Sequence, residues 1–233
     1  VDTLGAPRGP WPIRHCDRGA RTGEREHGSH DAHGTQASAH GPPFEGPALP
    51  RIIQELKHVP YIRQSVLSLD CANREQYAHA RSMMAGLPQK VNFIWNSGPR
   101  IQALCDKLRE NKLPIGEQGK GRSCWMAYGF VLADGECDVI ALHDCDILSY
   151  DRELLARLCY PVASPDINFD FCKGFYARVT DRMHGRVTRL FMTPILRTLQ
   201  GIFGYLPMLV YLDSFRYPLA GEFSMSADLA RLN

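Results

Sequence analysis

The chain has 233 residues, 44% hydrophobic and 22% charged, with a formal net charge of +2. These proportions suit one large α/β domain or two small ones and give no ground for nucleic acid or an anionic membrane as partner. Eight cysteines at positions 16, 71, 105, 124, 137, 145, 159 and 172 never fall at CxxC spacing. That argues against a zinc ribbon or a redox motif, and it reads as reduced, mostly buried thiols in a cytosolic, hence cytoplasmic, protein. No signal-peptide pattern opens the sequence. The greasiest stretch, 201–212, is too short to cross a bilayer and contains Pro207, so no integral membrane segment is expected.

Residues 1–44 have a texture of their own, with five histidines, seven glycines, no lysine and four residues from the Leu/Ile/Val/Met/Phe set. No apolar period can be drawn through them, and a segment so poor in apolar surface cannot offset the entropy of ordering. They are expected to be disordered or foreign to the domain, and their histidines are read as incidental rather than as a metal site. The texture changes at Glu45. A helix is expected from Pro50 onward, where a proline in the first turn does no harm. A short buried strand follows over 65–69, a helix over 75–87 and a second strand over 91–95, closed by the turn Asn96-Ser97-Gly98-Pro99. Helices are predicted over 101–112 and 123–133, separated by a glycine-containing loop, and a third strand over 138–142. Trp95 and Trp125 lie in apolar periodic runs and are expected in the core. Strands alternating with helices predict a mostly parallel sheet flanked by helices on both faces.

In open parallel sheets ligands bind at the carboxyl ends of the strands, and Asp144 and Asp146 follow the third strand. If the backbone stays extended there, residues two apart point to one side, and both carboxylates can meet one hard divalent cation. Such a cation would stabilise charge on a diphosphate leaving group. The plain alternative is a pair of aspartates that ends a strand and begins a loop. His143 should point away from both acids.

The ordered set of motifs is more specific. Gly119-Lys120-Gly121, Asp144-Cys145-Asp146, the run 171–178, Gly185-Arg186-Val187-Thr188-Arg189-Leu190 and 216–223 together resemble the glucosyl-3-phosphoglycerate synthases. These are retaining GT-A glycosyltransferases related to mannosyl-3-phosphoglycerate and mannosylglycerate synthases. The resemblance implies a Rossmann-like GT-A fold and transfer of glucose from an NDP-glucose to 3-phosphoglycerate with a Mg²⁺ or Mn²⁺ requirement. Asp146 resembles the direct metal ligand, and Asp144 the carboxylate that contacts the ribose side and supports the metal. Ser97 and Lys120 resemble nucleoside contacts. Gly185, Arg186, Val187 and Thr188 resemble the loop that cradles the acceptor's phosphate and carboxylate. Leu219 is similar to a residue whose carbonyl lies near the reacting centre, and Glu222 reads as structural or substrate-orienting.

The residues themselves agree in part with the acceptor loop. Five basic residues (173, 178, 182, 186 and 189) stand against Asp181 alone between 173 and 189, and a helix expected from Leu190 would add its amino-terminal amides. A solvated basic surface is the alternative. The nucleotide-sugar half is expected over about 45–150 and the acceptor part over about 151–233. The family's first strand, due just before Glu45, and the histidine metal ligand of its continuation past 233 are both expected to be missing. The domain is thus expected to be incomplete at both ends, with an exposed sheet edge. Transfer of mannose, a free glycerate acceptor, or a non-catalytic remnant that only binds nucleotide or phosphoglycerate are the competing readings. The sequence leaves the oligomeric state open, and the resemblance allows a homodimer.

Overall fold

The computed structural model describes residues 46–175 and 187–232, together with the backbone of residues 35–39. The chain divides into two compact units. One comprises His30–Cys172 and Gly221–Asn233 and carries the sheet; the other includes Lys173–Ala220.

The sheet has six strands: β1 (Thr35–Ala39), β2 (Gln64–Leu69), β3 (Lys90–Trp95), β4 (Val139–Asp144), β5 (Phe171–Lys173) and β6 (Phe223–Ser226). Their order across the sheet is β3-β2-β1-β4-β6-β5. The first four are mutually parallel, with Ser38 level with both Ser68 and Asp144, whereas β6 runs antiparallel to β4. Helices α1 (Ala48–Leu56), α2 (Arg74–Met84), α3 (Pro99–Glu110), α4 (Lys120–Ala133), α5 (Arg152–Ala163) and α8 (Ala227–Ala230) complete this unit.

Side-chain alternation splits the core between the two faces of the sheet. Leu67, Leu69 and Ala141 pack with Leu49, Ile52 and Leu56 of α1 and with Leu155 and Leu158 of α5. Val66 and Ile140 pack on the opposite side with Ala127 and Val131 of α4 and with Met225. Every residue of β2 is buried, as a strand covered on both faces requires. Local signals fix the helix ends: Asn73 and Gln76 form a reciprocal capping box on α2, and Asp151 accepts the Leu154 N–H at the start of α5. Gly98, before α3, lies so close to the Trp95 indole that a Cβ would come within 2.6 Å of the ring.

Two expectations change. The sheet does not lack its first strand: Thr35-Gln36-Ala37-Ser38-Ala39 pairs with β2 on one side and β4 on the other, so the edges are β3 and β5. A strand in that position needs no apolar run to satisfy its backbone, because both rows of peptide groups find partners in the neighbours. Trp125 is not in the core but 45% exposed. The buried residues of α4 are Ser123, Cys124, Ala127 and Val131, a stripe of small side chains that brings the helix close to the sheet and turns Trp125 and Phe130 outward.

In the other unit a π-helical turn (Thr188–Met192) runs into α6 (Thr193–Phe203), and α7 (Pro207–Ser214) follows. Pro194 has no N–H to give to the preceding turn, and the ladder widens there so that Thr193 N–H reaches Thr188 O. Gly204, at φ 70°, ends α6. Gln200 Nε2 donates to Leu209 O at 3.3 Å, and Arg197 stands 3.7 Å from Asp213. Among the described residues no helix is long and apolar enough to cross a membrane.

Candidate active site

Because β1 to β4 are parallel, their carboxyl ends share one edge of the sheet, where β2 is followed by Asp70, β3 by Asn96 and Ser97, and β4 ends on Asp144. The α4 amino terminus brings Lys120 to the same edge. Its ammonium meets Asp144 Oδ1 at 2.5 Å, with the two side chains 37% and 27% exposed. A half-solvated pair of this kind contributes little to stability, but it fixes the direction of both groups.

The strand extends two residues beyond the expected range, and its end lies at Asp144; Cys145 and Asp146 form a turn. Strand alternation therefore does not align Asp144 with Asp146. Asp144 is half-buried, held by Lys120, and Asp146 is exposed on the turn. Between them Cys145 is 1% exposed, and burial, reinforced by both neighbouring carboxylates, pushes its thiol well above the usual range. His143 is fully enclosed, on the other side of the strand from Asp144 as alternation requires. Its ring lies 4.9 Å from that of Tyr150, and burial lowers its pKa to about 4.

Among the described residues no three His, Cys, Asp or Glu side chains converge as a metal cluster. The donors at the strand end are nonetheless of one kind. Asp146 offers an exposed carboxylate, Asp144 a second oxygen donor beside it in sequence, and the Cys145 thiol stays protonated and enclosed. Oxygen donors with remaining positions open for phosphate oxygens fit Mg²⁺ or Mn²⁺.

The other predicted residues take varied places. Ser97 follows β3 at the same edge, but its hydroxyl donates to Ala72 O at 2.8 Å, as does the Trp95 indole at 2.7 Å. It is tied to the β2 turn, with no bond to Lys120 or Asp144. Glu222 is buried, 3% exposed, immediately before β6. Leu219, Val187 and Thr188 belong to the second unit. Leu219 is 44% exposed and Val187 60%, whereas the Thr188 hydroxyl is buried without a hydrogen bond among the described residues. Thr188 opens the π-helical turn rather than sitting in a loop. Gly185 and Arg186 lie outside the described residues.

Two features escaped the sequence reading. Asp70, 3% exposed, accepts from Gln118 Nε2 at 3.0 Å and from Cys71 N at 3.0 Å, and so links the β2 end to the loop that delivers Lys120. An aspartate directly after a buried strand was a visible signal, the same one that marks Asp144. The second feature is Gly221, where a Cβ would lie 2.8 Å from Asp144 Oδ2 and 3.2 Å from Lys120 Nζ.

No family model matches the chain. It is 52% identical over 188 residues to the glucosyl-3-phosphoglycerate synthase of Persephonella marina, covering 81% of this chain and 47% of that protein. To the synthase of Methanococcoides burtonii it is 40% identical over 190 residues, covering 80% and 46%. In structure it resembles the Mycobacterium tuberculosis glucosyl-3-phosphoglycerate synthase crystallised with Mn²⁺, UDP-glucose and phosphoglyceric acid. That match has a TM-score of 0.58 at 18% identity and covers 85% of this chain and 58% of that one. The same enzyme with Mn²⁺, UDP and glucosyl-3-phosphoglycerate gives a TM-score of 0.57 over 89% of this chain and 64% of that one. The architecture is that of the GT-A glycosyltransferases. Spanning about half the length of the curated relatives it matches, the chain belongs by sequence to the glucosyl-3-phosphoglycerate synthase family.

Proposed function

We propose that this chain carries the nucleotide-sugar site of a retaining glucosyltransferase that moves glucose from an NDP-glucose to 3-phosphoglycerate, with Mg²⁺ or Mn²⁺. The observation that supports this most is the Lys120–Asp144 pair at the carboxyl edge of a parallel sheet, in a chain 52% identical to a glucosyl-3-phosphoglycerate synthase. Asp146 and Asp144 would hold the divalent cation, which when bound neutralises charge on the departing diphosphate. Lys120 adds a fixed positive charge beside Asp144 and orients its carboxylate, and Ser97 borders the nucleoside subsite. Gly185, Arg186, Val187 and Thr188 form the acceptor's phosphate and carboxylate cradle. The buried Thr188 hydroxyl has no hydrogen bond among the described residues, which suits a group reserved for a ligand. Leu219 corresponds to the family residue whose carbonyl lies near the reacting centre, and Glu222 has a structural or substrate-orienting role rather than a nucleophilic one. The nucleotide-sugar half of the transferase domain runs over about 45–150, with β1 (Thr35–Ala39) inside its sheet, and the acceptor part over about 151–233. Seven thiol cysteines among the described residues, five of them buried, support a reducing cytoplasmic setting.

The test is incubation with Mn²⁺, a panel of NDP-glucose and NDP-mannose donors, and 3-phosphoglycerate or glycerate, with products read by mass spectrometry. Glucosyl-3-phosphoglycerate is the expected product. A mannosylated or unphosphorylated product would reassign the substrate, and nucleotide binding without any transfer would leave the chain a binding role alone.

A further inference from the structure

We propose that Gly221 is a positioning residue of this site: its lack of a side chain seats the Asp144 carboxylate so that one oxygen faces Lys120 and the other remains open. The inference rests on the proposed nucleotide-sugar site.

The register of the antiparallel pair supplies the placement. Val139 is level with Ser226 and Leu142 with Phe223, and continuing by two residues sets Gly221 opposite Asp144. Asp144 Oδ1 is bound to Lys120, while Oδ2 points at the position a Cβ on Gly221 would occupy, 2.8 Å away. Real Cβ atoms do not approach a carboxylate oxygen so closely. The requirement is for space rather than for torsion, because Gly221 is absent from the positive-φ glycines, Gly116, Gly119, Gly135 and Gly204. An alanine can adopt this backbone, but its methyl must displace the Asp144 carboxylate, and Asp144 cannot turn without leaving Lys120. The Lys120 ammonium, 3.2 Å from the same point, closes the remaining room. Three separate elements, α4, β4 and the entry to β6, thus meet at one carboxylate, and the glycine is what lets the third come close.

The deciding measurement is trace acetylation of lysines in the ligand-free protein, quantified by mass spectrometry, with exposed Lys112 as internal control. Gly221→Ala should raise Lys120 labelling roughly threefold relative to Lys112, the factor implied by losing a half-exposed ion pair. Asp144→Ala should raise it equally, and the double variant no further, because both changes act through one contact. Unchanged labelling in Gly221→Ala, or an effect that adds to that of Asp144→Ala, overturns the proposal. Should Gly221→Ala fail to fold, the double variant decides: recovery of a cooperative melt supports the clash, and continued failure overturns it. In parallel, UDP affinity in the presence of Mn²⁺ should fall about tenfold in Gly221→Ala, as when a partner that orients a ligating carboxylate is lost. Absence of Mn²⁺–UDP binding by the unaltered protein would count against the proposed function alone, since the labelling comparison uses no ligand.

Discussion

Helices α1 and α7 are both rich in apolar residues, yet they fare differently. In α1 the apolar side chains fall on one face, and Ala48, Leu49, Ile52, Ile53 and Leu56 are all buried. In α7 they surround the helix, and none is buried. The contrast extends to their units: β2 and β4 are enclosed almost throughout, whereas Leu196 is the buried residue of α6, and Ile202, Phe203 and Tyr205 are each more than 60% exposed. Hydrophobic content does not make a core; a periodic face opposite a sheet does. The side chains with fixed polar geometry, Asp70, Lys120, Asp144 and Gly221's neighbours, sit where the backbone is anchored by packing on both sides.

The comparison can be strained from the chemistry downward. Asp146→Ala should have the largest effect, reducing Mn²⁺-dependent glucosyl transfer on the order of a thousandfold, the scale of several kcal/mol of charge stabilisation. Undiminished turnover would remove Asp146 from the metal site. Next, Leu155→Ala in the sheet unit should cost about 3 kcal/mol in urea unfolding, the usual range for emptying a fully packed leucine site. A third test is pH. Burial lowers the pKa of His143 from 6.5 to about 4, so between these values the unfolded chain binds the extra proton. Stability from this group is fully present above pH 6.5 and declines as pH falls toward 4. Unfolding free energy should therefore be about 2 kcal/mol lower at pH 5 than at pH 7, and His143→Gln should flatten that difference. The smallest effect belongs to the helical unit: Ile202→Ser and Tyr205→Ser should change stability by no more than about 0.5 kcal/mol. A loss comparable to that of Leu155→Ala would show that these side chains carry packing, and the contrast between the units would collapse.

Strands β2, β3 and β4 were legible because each is an apolar run bounded by turn residues, whereas the Asn73–Gln76 capping box of α2 and the place of Pro99 in the first turn of α3 emerged only with the structure. β1 was not, since Thr35-Gln36-Ala37-Ser38-Ala39 owes its strand state to two partners far away in sequence. Trp125 was misplaced for a related reason: α4 is apolar nearly all round, and which face is inward depends on how closely the helix must approach the sheet. At the site, Asp144 announced itself by following a strand, and Lys120 entered through the family's ordered motifs. The turn at Cys145 and Asp146 was hidden, because strand periodicity says nothing about where a strand stops. Gly221 was quoted within a motif but carried no meaning until β6 was laid antiparallel beside β4.

The place of β1 also governs the order in which the molecule can assemble. Its register partner in β4 comes about a hundred residues later, so the middle of the sheet closes across a long loop. β2 and β3, joined through α2 alone, can zip early as a local parallel unit. The β1–β4 seam must wait until most of the chain is available, and a polypeptide of such high contact order folds slowly and passes through species with open strand edges. During synthesis, then, β1 cannot gain its second neighbour before Asp144 has been made, although β2 is available to it much earlier.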